Sequence, residues 1–501
     1  MKIKLLFSLS ICAASLHCIG CAKHDSTNKK TGGKENPPPI EQKQLTFTSA
    51  DKDLERTFYW AKNMALNYAH DGKDAVGFWY EAALPGRQAF CMRDMAHQSV
   101  GAEILGLSKH NENMLIKFVE NISVGKDWCS YWEIDKFNKP APVDYTDDDH
   151  FWYNLNANFD IIYACLKVYE WTGNDKLLKD PRFVKFYKTS LNDYIKRWKL
   201  SVGEIMSRPR HLNVKDPVNN KTSDVRGLPS YVENYPNLTA SSDLIASIYA
   251  GFVAYGKLAA ITGDQAERTW ADEQAQGYRK LLEDKWWDDQ LQAYHTFWTA
   301  DHKFANGEGL TYILWFNATD KANRIKATLK KIMGKKDWNV ENQSHFPTLY
   351  YDLNHLEEAY QQLLALRTVR RNEYPEVSYG AMEGIIGGTM GIKPIYQEKC
   401  VVTLPRLTKA NESKSVEIDN LPVFGGYISV KHDNNTSSNL TNDTGADLIW
   451  RASFMGSHST VLLDGKTSLT TKLTTDKLGN KISIVEVRVP KGKKLKVSVQ
   501  G

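Results

Sequence analysis

From about residue 50 to 395 the apolar positions recur with helical spacing. Ile162, Cys165, Leu166 and Tyr169 form one such stripe, and Leu244, Ile248, Phe252, Tyr255 and Leu258 form another. The pattern predicts helices near 51–68, 90–106, 109–123, 150–172, 182–199, 240–262, 265–284, 307–317, 318–334, 355–371 and 377–390. Two of them end alike, VYEWTGND at 168–175 and LAAITGDQ at 258–265. In each, Gly takes the left-handed cap of one helix and Asn or Asp opens the next, which marks a helical hairpin. Longer stretches without this period fall at 124–149, 200–238 and 285–306. Tight turns on one side and long loops on the other predict a mainly α toroid of hairpins over 47–395, its mouth built from the loops. A helical-repeat solenoid is the alternative.

Beyond 396 the period falls to two. Val416 and Ile418, Tyr427–Lys431, Leu448–Phe454, Val461–Leu463, Ile482–Val489 and Leu495–Val499 read as strands, with turn signals such as Asp464-Gly465 between them. A small antiparallel β-sandwich over 396–501 follows. At the other end, Lys2 and Lys4 precede an apolar run that stops near Leu16, too short to span a bilayer. This is a signal peptide over 1–20, and Cys21 after Gly20 matches a bacterial lipobox, which makes Cys21 the lipidated residue. Residues 21–46, rich in Lys, Asn, Gly and Pro, form a disordered tether. The predicted location is therefore periplasmic or outer-membrane, with the membrane touched only through the lipid.

Composition narrows the function. A net charge of +5 spread along 501 residues gives no nucleic-acid footprint. The cysteines left after processing, Cys21, Cys91, Cys129, Cys165 and Cys400, lack C-x-x-C spacing, so neither a zinc site nor a disulfide scaffold is predicted. No cofactor motif is present. The 14 Trp and 24 Tyr cluster beside acids and amides, as in Phe78-Trp79-Tyr80 and Phe151-Trp152-Tyr153. Sugars have apolar C–H faces and polar rims, so a carbohydrate partner suits that mixture.

Charged residues gather near predicted loop–helix junctions. The segment WYEAALPGRQAFCMRDMAHQ (79–98) supplies Arg87, Arg93, Asp94 and His97, the last two on one helix face. A buried Arg–Asp lock between helices is the bland reading of that pair. Asp147, Asp148 and Asp149 precede a predicted helix, with Trp152 beyond; caps explain one or two of the acids. Calcium would need a loop of EF-hand spacing, which is absent. Glu233 and Tyr235, Glu308 between glycines, and Glu376 after Pro375 lie at further junctions. Glycoside hydrolysis needs two carboxyl groups, and a ring of helices can converge distant ones.

Taken together, these segments resemble the six-hairpin (α/α)6 glycosidases, and the bacterial α-L-rhamnosidases among them. Pro85-Gly86-Arg87 is similar to the start of the rhamnosidase Pro-x-Arg segment, PEVSYGAMEGIIGG (375–388) to a late helix of that family, and 415–465 to its C-terminal sandwich. Gln88 and Ala89 stand where the family carries two acids, so its usual proton donor has no counterpart. The resemblance implies a glycoside hydrolase, inverting in stereochemistry, with Asp94 as general acid and Glu376 as base. Trp79, Arg87, Arg93, His97, Asp149, Trp152, Glu233, Tyr235 and Glu308 would bind the sugar. A polysaccharide lyase using Arg87 and Arg93 on a uronate, and a non-catalytic glycan-binding lipoprotein, are the alternatives.

Overall fold

The structure is a computed structural model that describes residues 43–209, 214–215, 222–223, 226–233, 235, 237–409, 411–412 and 414–500. The signal peptide, Cys21 and most of the tether lie outside them.

Helices come in consecutive pairs: α1 (Lys52–Asn67), α2 (Met92–Ile104), α3 (Ser108–Glu120), α4 (Ala157–Thr172), α5 (Pro181–Thr189), α6 (Ser242–Thr262), α7 (Gln265–Leu281), α8 (Leu310–Trp315), α9 (Ala322–Gly334), α10 (Val340–Asp352), α11 (Leu356–Ala365) and α12 (Pro375–Glu383). The even-numbered helices pack on one another in sequence, α2 on α4, α4 on α6, α6 on α8, α8 on α10, α10 on α12, and α12 packs back on α2. The partners α3, α7, α9 and α11 are amphipathic and bury one stripe each, as in Ile325, Leu329 and Ile332 of α9. Helices α2, α4 and α6 bury most of their residues, including Asp94, His97, Asp160 and Asp243. In length and hydropathy α6 could cross a membrane, but 78% of its most apolar window is buried inside the protein.

The Thr-Gly signals act as read: Gly173 (φ 70°) and Gly263 (φ 81°) take left-handed caps after α4 and α6. Other expectations need correction. The helix predicted from 150 begins at Ala157, because 145–147 and 150–151 pair as a hairpin, whose turn Asp147 caps by accepting the N–H groups of Asp149 and His150. No helix was predicted where α10 lies, since Pro347 interrupts the pattern; Asn339 caps α10 by accepting the Asn342 N–H, and Pro347 is accommodated in its interior. The stretch 285–306 holds short hairpins rather than plain loop.

Close packing between buried helices depends on glycine. A Cβ on Gly101 of α2 would sit 2.5 Å from the carbonyl oxygen of Tyr379 on α12. Gly101→Ala is expected to cost about 1–3 kcal/mol by overpacking, read as a lowered midpoint of denaturant unfolding; an unchanged midpoint would show that the two helices separate freely.

The β region has two sheets. The strands are β1 (Thr46–Ser49), β2 (Lys393–Ile395), β3 (Cys400–Thr403), β4 (Val416–Val423), β5 (Gly426–Asn434), β6 (Ser437–Asp443), β7 (Leu448–Met455), β8 (Thr460–Leu463), β9 (Thr467–Thr470), β10 (Lys472–Thr475), β11 (Lys481–Val489) and β12 (Lys494–Val499). One sheet runs β1-β4-β5-β6-β12-β8-β9 and the other β2-β3-β7-β11-β10. Alternation puts Val416, Ile418, Ile428 and Val430 inward from the first, and Trp450, Ala452 and Phe454 from the second. Strand β12 lies between β6 and β8 rather than at an edge. Leu45 and Phe47 are buried, so the fold takes up the chain at the end of the predicted tether, and β1 pairs antiparallel with β4. Helices and sheets share one hydrophobic core, and Trp171 at the end of α4 donates its indole N–H to the Pro422 carbonyl (2.7 Å). The described cysteines, Cys91, Cys129, Cys165 and Cys400, are buried, and no disulfide joins any two of them.

Candidate active site

A cavity of about 590 Å³ lies where helix N-termini converge. Arg93 and Asp94 come from the first turn of α2, Gly309 and Tyr312 from the start of α8, Asn339, Glu341 and Asn342 from the start of α10, and Tyr374 from the cap of α12. The positive ends of these helix dipoles favour carboxylates at this spot. The segments between helices supply the rest of the wall: Arg87, Trp132, Glu133, Asp144, Trp152, Tyr231 and Glu233.

Asp94 is 2% exposed. Burial raises its pKa to about 7; Arg93 opposes the rise, and the negative charges of Glu376 and Glu341 add to it. Its oxygens meet Arg93 Nε (3.4 Å) and the Tyr374 hydroxyl, which donates at 3.0 Å. Arg93 also reaches Glu233 (3.5 Å) and lies over the rings of Trp132 and Tyr231, 5.4 and 5.8 Å from their centroids. Tyr231 is fixed from below: its hydroxyl donates to Asp160 (2.5 Å) and its N–H to Asp243, which also accepts from Ser230 and Ser241.

A second acid group occupies another part of the wall. Arg87 binds Glu133 (2.6 Å) and approaches Asp144 (3.5 Å). Burial and then the adjacent Glu133 raise the Asp144 pKa to about 8, so this pair holds a proton near neutrality. Glu308 is held by Lys335 (3.5 Å) and Asn342 (3.5 Å). The carboxyl group of Glu341 accepts no hydrogen bond from the described residues.

Of the residues singled out in the sequence, the structure brings Asp94, Arg87, Arg93, Trp152, Glu233 and Glu308 to this cavity. Glu376 and His97 lie beneath it and do not line it. His97 Nδ1 and His345 Nε2 stand 3.2 and 2.9 Å from Glu376 Oε1, joining α2, α10 and α12. Burial would raise the Glu376 pKa, but the two imidazoles hold it at about 2, while burial lowers that of His97 to about 4. Trp79 is in the core, stacked on His70 with its indole N–H on Asp74. Tyr235 packs on Phe297, and Asp149 sits in the exposed turn after Asp147; neither lines the cavity.

His97, His345 and Glu376 are also the ligand types of a divalent metal, with donor atoms within 4.8 Å of one another. His97 Nε2 and Glu376 Oε2 make no hydrogen bond with the described residues. Through the protein contacts it makes, the cluster is a histidine–carboxylate–histidine clamp that ties α2, α10 and α12.

Sequence reasoning missed Glu133, Asp144, Glu341 and Asn342. Glu341 had a usable signal, an Asn cap two residues before an acid in the first helical turn. Glu133 and Asp144 had none, since only the pairing of 89–91 with 133–135 carries Glu133 to the Arg87 segment.

Paired helices around a carboxyl-rich, aromatic-walled cavity, with a β-sandwich appended, are an arrangement also seen in solved structures of six-hairpin type. Solved structures with this fold include α-L-rhamnosidases. The GH78 family rhamnosidase of Bacillus sp. GL1 superposes with a TM-score of 0.53 at 15% identity, over 78% of this chain and 40% of its own. The α-L-rhamnosidase of Dictyoglumus thermophilum gives 0.57 at 11% identity, over 91% of this chain and 50% of its own. The native α-L-rhamnosidase of Aspergillus terreus gives 0.53 at 11%, over 90% and 50%. This chain thus spans half the length of these proteins or less, and at such identities the likeness is one of fold. No protein-family model matches the sequence, and no curated protein sequence does.

Proposed function

We propose that the chain is an (α/α)6-toroid glycoside hydrolase that cleaves an oligo- or polysaccharide at the cavity between Asp94 and Glu341. The observation that carries this reading is that two carboxyl groups in different surroundings, Asp94 and Glu341, line one cavity. Asp94, in contact with Arg93 and Tyr374, is buried, and burial raises its pKa to about 7, whereas the Glu341 carboxyl group opens on the same cavity and accepts no hydrogen bond from the described residues. Two carboxyl groups in different environments divide acid and base roles. Asp94 donates to the leaving oxygen; Glu341 takes the base role expected of Glu376, whose buried, clamped carboxylate has no path to substrate. Arg93 and Glu233 orient sugar hydroxyls, and Trp132 and Trp152 offer faces to the ring. On the reading of residues 1–46, the enzyme is exported and tethered through Cys21 in the periplasm or at the outer membrane.

The lyase alternative loses support because Arg87 and Arg93 are already engaged by the cavity's own carboxylates. Purified protein offered a panel of glycans is expected to release reducing ends, and Glu341→Gln is expected to lower kcat by about 10²–10⁴-fold. No release from any glycan, or wild-type turnover in Glu341→Gln, would overturn the respective assignment.

A further inference from the structure

The helices that open on the first cavity run away from it and end around a second. Ile104 of α2, Trp171 of α4, Trp315 of α8, Asp352 of α10 and Glu383 of α12 line this pit, whose volume is about 310 Å³, and Ile392–Ile395 of the chain leading into the sandwich closes one side. The size is at the small end for ligand pockets, which span roughly 300–1,000 Å³.

Its lining divides into two kinds of group. Lys167 is paired with Glu170 (3.2 Å), and Lys393 with Asp352 (2.9 Å). Tyr163, Trp315 and Glu383 are different: the Tyr163 hydroxyl, the Trp315 indole N–H and the Glu383 carboxyl make no hydrogen bond with the described residues. The rings of Tyr163 and Trp315 are tilted by 57° to each other with centroids 5.6 Å apart, the Lys167 ammonium is 5.5 Å from the Tyr163 centroid, and Trp315 also packs on His97 and His345. An angled pair of aromatic rings and an N–H, a hydroxyl and a carboxyl group that make no hydrogen bond with the described residues thus face one small space. The C-terminal ends of α2, α4, α8 and α10 surround it, and their outward carbonyls favour hydrogen-bond donors. A ligand that fits this set has an apolar face, several hydroxyls and the size of one ring.

We propose that this second cavity binds a single monosaccharide, with its C–H face on Tyr163 and Trp315 and its hydroxyls on Glu383. The site is separate from the first cavity, and its occupation does not depend on whether the chain cleaves glycans.

Saturation-transfer NMR with D-glucose, D-galactose, L-rhamnose and D-glucuronate tests it on the purified chain. At least one sugar is expected to show transfer to both wild type and Asp94→Asn, with binding weakened tenfold or more in Glu383→Gln and in Tyr163→Phe. Each of these variants is nearly isosteric, and circular dichroism confirms its folding. Absence of transfer for all four sugars would overturn the proposal. So would transfer that survives both cavity variants, and transfer lost in Arg93→Ala instead would locate the sugar in the first cavity.

Discussion

Asp94→Asn is expected to lower kcat on a cleavable glycan by about 10²–10⁴-fold, the usual effect of removing a general acid, with KM changed only a few-fold. Asparagine fills the same space and keeps one oxygen, enough for either Arg93 or the Tyr374 hydroxyl, which bind different carboxyl oxygens, and it has no acidic proton to give. Wild-type activity should hold below about pH 7 and fall as pH rises through that value, where Asp94 loses its proton. The residual activity of the variant should lack this limb. Retention of most of the activity in Asp94→Asn would remove the residue from the mechanism. The same raised pKa has a stability consequence. Between an unfolded value near 3.8 and a folded value of about 7, the folded chain holds this proton more tightly, so the stability contributed by Asp94 is lost as pH rises across that interval.

Replacing Glu376 with Ala is expected to cost about 1–3 kcal/mol, the range for leaving a buried polar group unsatisfied. His97 and His345 would lose their shared carboxylate in a place where water does not reach, and three helices would lose their common tie. Thermal unfolding read by circular dichroism measures the effect, and a melting temperature equal to that of the wild type would deny the clamp any structural weight. The milder Glu376→Gln separates structure from electrostatics. Burial is the first cause of the raised Asp94 pKa, but the Glu376 charge contributes, so the alkaline limb should move to lower pH in this variant. The stability that Glu376 supplies runs opposite to that of Asp94: its folded pKa of about 2 lies below the unfolded 4.5, so its contribution is present above pH 4.5 and lost as pH falls toward 2.

The helical hairpins were legible because periodicity and glycine caps are local, and the Thr-Gly endings of α4 and α6 sat where they were read. Helix α10 was hidden by Pro347, and with it went Glu341, Asn342 and His345. The site was legible in part for the same reason. Arg93 and Asp94 stand at a helix start that the sequence marks, whereas Glu133 joins Arg87 through a two-strand pairing that no local pattern encodes. Glu376 shows a different limit. Its place at the start of α12 was visible, but whether its carboxyl group opened on the cavity or turned beneath it depended on two histidines, one of them on the unseen helix. Trp79 looked like a sugar platform because aromatic density alone does not tell a core ring from a wall ring.

The first strand also bears on how the chain is made. Because β1 takes β4 as its neighbour, residues at the very start of the folded body wait for a partner more than 360 positions downstream. A ribosome or export channel delivering this protein in order must release nearly the whole helical body before that seam can close. Closing so long a loop late makes the seam a slow step, and until it closes the lone edge is a template for mispairing with other chains.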